Sequence, residues 1–166
     1  AIELALWNLC LDTVRSGTAQ KNAQPFRQPV FLNGLLTGTE DDIVNQASQL
    51  TRSGYRAVKV KVGGKLLEED IRLTLQVRKV IGNETLLRLD ANRAWSLEDA
   101  VSFGKSVNGS NIDYIEEPLA DPDHMATYIA QGGIPVALDE SLLEYPFERL
   151  AKIQGIKAIV LKPTLL

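Results

Sequence analysis

Ala57-Val58-Lys59-Val60-Lys61-Val62-Gly63-Gly64 is the stretch that decides how this chain folds. The run is apolar and β-branched, apart from two lysines one residue apart, and it ends on a glycine pair. Such a run reads as a strand, in which alternate side chains share a face. Lys59 and Lys61 should therefore project together from one strand end.

The pattern repeats on both sides of this stretch. Upstream, Pro29 to Leu36 is a first strand candidate, and Thr39-Glu40-Asp41-Asp42 opens a helix with a threonine cap and acids in its first turn. That helix ends near Gly54. Tyr55 to Val62 is the second strand, followed by a helix from Glu68 to Ile81 and a third strand from Thr85 to Asp90. Ser96-Leu97-Glu98-Asp99 caps the next helix, which runs to about Val107. A strand follows within Asn111 to Glu117, then a helix from Asp121 to Gln131. Ile134 to Leu138, a helix from Tyr145 to Gln154, and a strand from Ile156 to Leu161 complete the series. Ala1 to about Arg15 reads as a leading helix, and Ser16 to Gln28 as a polar loop.

Strands alternating with helices imply a parallel sheet flanked by helices. Nearly continuous apolar strands fit burial on both faces. An open doubly wound sheet and a closed (β/α)8 barrel both satisfy this pattern, and the polar residues decide between them. Lys61, Asp90, Glu116 with Glu117, Asp139 and Lys162 close successive strands at intervals of roughly one βα unit. Such a ring at the strand C-termini is the active-site layout of a barrel. No glycine-rich phosphate fingerprint follows the first strand. The fold class is thus α/β, an incomplete (β/α)8 TIM-type barrel of about six units, preceded by a helix from a capping domain or linker. We expect residues 1–28 to be helix and linker, residues 29–166 to be the partial barrel, and two further strands to be missing.

Composition narrows the function. The chain has 166 residues, 45% hydrophobic and 23% charged, with a net charge of -3 and no basic stripe. This is the composition of a globular domain and does not suggest a nucleic-acid partner. Its apolar runs are too short for the ~20 residues of a membrane span. Cys10 is the single cysteine, read as core, and His124 the single histidine, read as surface. The partner expected is a small-molecule carboxylate.

Asp90, Glu116 and Asp139 offer hard oxygen ligands from three successive strand ends, which suits Mg2+ rather than zinc. Glu116 and Glu117 cannot both point inward from a regular strand end, and the pattern does not choose between them. Lys61 and Lys162 flank these acids. A substrate carboxylate held at the metal would lie between the two lysines. One lysine could remove the proton from the adjacent carbon while the metal stabilised the enediolate. Lys61 must then be neutral part of the time, which nearby positive charge and partial burial favour. Lys59 reads as an electrostatic partner. Arg88 shares the face of Asp90 and needs an anion there. Asn92 and Arg93 could add hydrogen bonds, and Trp95 either walls the pocket or packs a helix start. Tyr55, Trp7 and Phe103 read as core.

Lys59-Val60-Lys61, Leu89-Asp90-Ala91-Asn92-Arg93-Ala94-Trp95, Ile115-Glu116-Glu117-Pro118, Leu138-Asp139-Glu140-Ser141 and Leu161-Lys162-Pro163-Thr164 together resemble the enolase superfamily, muconate-lactonizing subgroup. The resemblance spans about Pro29 to Leu166. Within the subgroup, Asp-Ala-Asn-Arg-Ala-Trp and Lys-Pro-Thr-Leu are most similar to the o-succinylbenzoate synthase family. That family dehydrates a cyclohexadiene carboxylate (SHCHC) on the route to menaquinone or phylloquinone, in the cytoplasm of bacteria or the plastid of plants. The resemblance implies Mg2+ as cofactor and Glu116 rather than Glu117 as ligand. It implies that Lys61 takes the α-proton, and that Lys162 holds the other face of the enediolate through a cation–π-like contact. It also implies a capping domain beyond this barrel. A dipeptide or N-acylamino acid racemase of the same subgroup, and an inactive fragment, are the competing readings.

Overall fold

The computed structural model describes residues 31–162. The leading helix over Ala1–Arg15, the adjoining loop, Trp7 and Cys10 fall outside the described residues. Six strands lie in one parallel sheet in sequence order. They are β1 (Asn33–Leu36), β2 (Ala57–Lys61), β3 (Leu86–Asp90), β4 (Ile112–Glu116), β5 (Val136–Leu138) and β6 (Ile156–Ile159). Each neighbour pair is parallel. Among the described residues β1 and β6 are its edges, and the sheet is an open, incomplete (β/α) barrel.

The main connecting helices are α1 (Glu40–Arg52), α2 (Leu67–Ile81), α3 (Leu97–Ser106) and α4 (Met125–Gly132). Their starts follow from local chemistry. Thr39 accepts from the Asp42 amide while the Asp42 carboxylate accepts from Thr39, a complete capping box. Ser96 accepts from the Asp99 amide in the same way. Together such caps satisfy helix N–H groups that have no partner within the helix.

Val58, Val60 and Val62, Leu87 and Leu89, and Ile115 are buried in the core shared by sheet and helices. Ile43, Leu73, Val77 and Phe103 meet them from the helices. Trp95 is buried too, its ring 4.4 Å from that of Phe103, so it packs a helix start. Phe103 is core as expected, whereas Tyr55 is only half-buried.

Two departures from the sequence pattern matter. The helix expected over Tyr145–Gln154 is instead two short pieces, α5 (Ser141–Glu144) and α6 (Phe147–Leu150). Tyr145 is extended between them, because the ring of Pro146 disfavours the helical region for the residue before it. The helix expected over Asp121–Gln131 starts as a tight 3-10 turn, Pro122–His124, before α4 begins. His124 lies in that turn with its side chain 55% exposed.

Candidate active site

The face of β2 opposite its valines carries Lys59 and Lys61. Register pairs Lys59 with Arg88, Lys61 with Asp90, and Asp90 with Glu116. The charged side chains of three strands therefore meet in tiers.

The tier at the strand C-termini joins Lys59, Asp90 and Glu116. Lys59 Nζ lies 3.0 Å from Asp90 Oδ2 and donates to Glu116 Oε2 at 2.7 Å. Both acids are buried. Burial opposes the Lys59 charge, but hydrogen bonds to Glu116 and Asp90 outweigh it and its pKa is raised. Glu116 also titrates above the usual carboxylate range. Burial is the main cause, and the charges of Asp90 and Asp139 add to it against the pull of Lys59. The pair is thus asymmetric: the lysine is well compensated, whereas burial leaves the acid harder to ionise despite the ammonium beside it.

Asp139 follows β5 and is 7% exposed. Among the described residues, no three His, Cys, Asp or Glu side chains form a group able to hold a metal ion. The structure gathers Asp90 and Glu116 around Lys59, with Asp139 near enough to add its charge. The donor set still fits a hard divalent cation, because it offers carboxylate oxygens from the ends of adjacent strands.

Lys61 is exposed rather than partly buried. The reason is local, since it is the last residue of β2, where the strand gives way to the Gly63-Gly64 turn. Lys61 and Asn92 line a cavity of about 460 Å³ with Thr37, Lys65 and Asp70, over an apolar wall that includes Leu36 and Leu73. Gly63 shapes that rim. Its φ is +84°, a Cβ there would overlap the Ala94 side chain, and its N–H donates to Asp70 Oδ2 at 2.7 Å. Lys162 follows β6, is exposed, and lies outside the compact unit Phe31–Val160 that carries the other strand ends.

Arg88 finds its anion one tier down, in a residue the sequence pattern did not single out. Its Nε donates to Asp113 Oδ2 at 2.8 Å and its Nη1 to Asn33 Oδ1 at 2.8 Å. Lys157 Nζ lies 2.6 Å from Asp113 Oδ1. The register slips between Leu87 and Arg88 against β4, and between Val136 and Ala137 against β6. Asp113 and Lys157 are the extra residues at these two bulges. An aspartate inside an apolar strand was the available signal, but the bulge that turns it toward Arg88 has no mark in the sequence.

Glu116 and Glu117 take different directions at the end of β4. Glu117 has φ +41° and is fully buried, and it turns away from the Lys59 tier. Its Oε1 accepts from the amides of Asp139 (2.8 Å) and Ser141 (2.9 Å), and its Oε2 from Ser141 Oγ (2.7 Å) and Arg93 Nε (3.3 Å). Arg93, at φ +61°, also donates to Glu144. Arg93 is thus part of the frame.

Buried acids beside lysines at the C-terminal ends of parallel strands follow the layout of barrel-type sites. Residues 42–165 match the family model described as enolase C-terminal domain-like, and the chain belongs to that family. It is 39% identical over 136 residues to an o-succinylbenzoate synthase of Salmonella paratyphi B, covering 79% of this chain and 41% of that protein. It is 38% identical over 133 residues to Protein PHYLLO, chloroplastic, of Arabidopsis thaliana, covering 76% of this chain and 8% of that one. Among solved structures, a dipeptide epimerase from Cytophaga hutchinsonii, complexed with Mg and D-Ala-L-Val, superposes with a TM-score of 0.71 at 27% identity, covering 81% of this chain and 38% of that one. The chain spans less than half the length of these relatives. No described helix is long and apolar enough to cross a membrane.

Proposed function

We propose that this chain carries the reacting half of a Mg2+-dependent lyase that dehydrates SHCHC to o-succinylbenzoate. The observation that carries this reading is the Lys59–Asp90–Glu116 tier beside Lys61, in a chain 39% identical to an o-succinylbenzoate synthase. Asp90, Glu116 and Asp139 would hold the ion. Bound there, Mg2+ supplies positive charge to a substrate carboxylate and so eases loss of the neighbouring proton.

The chain's own residues do the rest. Lys61 takes the proton from the carbon next to the carboxylate. The ring C–O bond then breaks, and the hydroxide leaves as water by taking up the proton that Lys61 has just removed, which returns Lys61 to its neutral form. By the family resemblance, Lys162 would support the negative charge of the intermediate. Lys59 holds Asp90 and Glu116 together against their mutual repulsion. Arg88 pairs with Asp113 one tier below, and Asn92 lines the cavity beside Lys61.

An epimerase reading draws on the structural likeness to the Cytophaga dipeptide epimerase. The same proton abstraction would serve it, with reprotonation in place of C–O cleavage. Incubating the chain with Mg2+ and either SHCHC or an Ala-containing dipeptide separates the two. Loss of SHCHC absorbance with no dipeptide epimerisation supports the lyase. Hydrogen exchange at the dipeptide α-carbon with SHCHC untouched overturns it.

A further inference from the structure

We infer that Glu117 is a positioning residue, which fixes the β5–α5 turn and thereby sets Asp139 against Asp90 and Glu116. The inference rests on the metal-site reading of those three acids. Glu117 touches none of the reacting groups. It is fully buried, and its two oxygens collect four donors from two other strand ends. The amides of Asp139 and Ser141 and the Ser141 hydroxyl come from the turn after β5. The Arg93 guanidinium comes from the turn after β3, three residues beyond Asp90.

The main chain makes the same links. Glu117 N donates to Ala137 O at 3.1 Å, and Arg93 N donates to Glu117 O at 2.7 Å. Arg93 reaches on to Ser141 Oγ at 3.1 Å and to Glu144. One carboxylate therefore ties together the three strand ends that carry Asp90, Glu116 and Asp139. A buried ion is tolerated when it is paired and fully hydrogen-bonded, and this one is both. The left-handed backbone at Glu117 has a reason here: it turns consecutive glutamates to different tasks.

The test uses the full chain and three variants, with Mn2+ as the probe ion. Glu117→Gln keeps the volume, but either amide orientation sets an N–H group against the donors of Asp139, Ser141 or Arg93. Ser141→Ala removes the hydroxyl that donates to Glu117 and accepts from Arg93, and leaves the two amide bonds to Glu117 in place. Asp90→Asn alters a proposed ligand without touching the Glu117 cluster. Mn2+ affinity is read by electron paramagnetic resonance, exchange of the Asp139 and Ser141 amides by hydrogen–deuterium exchange, and Tm by circular dichroism.

Glu117→Gln should bind Mn2+ about 10–100-fold more weakly, the usual effect of losing a supporting contact behind a ligand. It should also speed exchange at Asp139 and Ser141. Ser141→Ala should shift both readouts in the same direction by less, and it decides the matter should Glu117→Gln fail to fold. Asp90→Asn should lose Mn2+ with native exchange at those amides. Native amide exchange in folded Glu117→Gln and Ser141→Ala overturns the inference, and so does native Mn2+ affinity accompanied only by a lower Tm. A native chain that binds no Mn2+ instead overturns the metal-site reading, and the exchange arm still decides whether Glu117 holds the turn.

Discussion

Replacing Lys59 with methionine removes the ammonium that touches Asp90 at 3.0 Å and Glu116 at 2.7 Å. At the effective dielectric of about 20 that suits such sites, each contact is worth about 5–6 kcal/mol before any cost is counted. Desolvation of the ions offsets much of this, at several kcal/mol apiece. Breaking a buried pair by deleting one partner costs about 3–5 kcal/mol, because the remaining charge stays buried. Lys59 keeps 19% of its side chain exposed, which places this pair near the lower end, about 3 kcal/mol. The pH dependence follows from Glu116. Its folded pKa is raised, chiefly by burial, so the native state binds that proton more firmly than the unfolded chain does. Its ionised form opposes stability above the folded pKa, and the penalty fades as pH falls. Without Lys59 the penalty grows, so Lys59→Met should lose most stability near pH 8 and less near pH 5. Urea unfolding followed by the fluorescence of buried Trp95 measures both. An unchanged midpoint at pH 8, or a loss that deepens as pH falls, would refute the reasoning.

Two further outcomes test the frame. Gly104→Ala should destabilise the chain by about 1–2 kcal/mol in urea unfolding, although alanine is the better helix former by about 1 kcal/mol, because overpacking costs about 1–3 kcal/mol and the added Cβ would overlap the Gly132 carbonyl of α4. A stabilised variant would mean that α3 and α4 do not approach so closely. Asp113→Asn should cost about 2 kcal/mol at pH 7, less than a fully buried pair because Lys157 is 50% exposed. Burial alone would raise the Asp113 pKa, but Lys157 and Arg88 pull it below the usual carboxylate value, so its contribution is present above the unfolded pKa and lost as pH falls through the folded one. The gap between native and variant midpoints should therefore close at acid pH, and a constant gap would count against the pairing.

The barrel layout was legible because each local signal agreed with the next. Val58, Val60, Leu87, Leu89 and Ile115 mark buried strands, and Thr39 and Ser96 mark helix starts. The strand-end lysines and acids were legible because charge is costly at the end of an apolar strand unless it has a use. Three things were not legible. The bulges that bring Asp113 to Arg88 and Lys157 depend on register between strands, which no single strand encodes. Glu117 differs from Glu116 only through a backbone angle. The exposure of Lys61 follows from where β2 gives way to the Gly63-Gly64 turn, a boundary that alternation along the strand does not mark.

We propose that Lys61, beside the Asp90–Glu116 tier, removes a proton from a carboxylate substrate, with Mg2+ supplying positive charge when bound. The most direct measurement follows SHCHC by absorbance with the native chain and Lys61→Ala in parallel, each with and without Mg2+. The account predicts Mg2+-dependent turnover that falls by about 10²–10⁴-fold in Lys61→Ala, the usual effect of losing a general base. Turnover that survives in Lys61→Ala, or that the native chain lacks altogether, would contradict it.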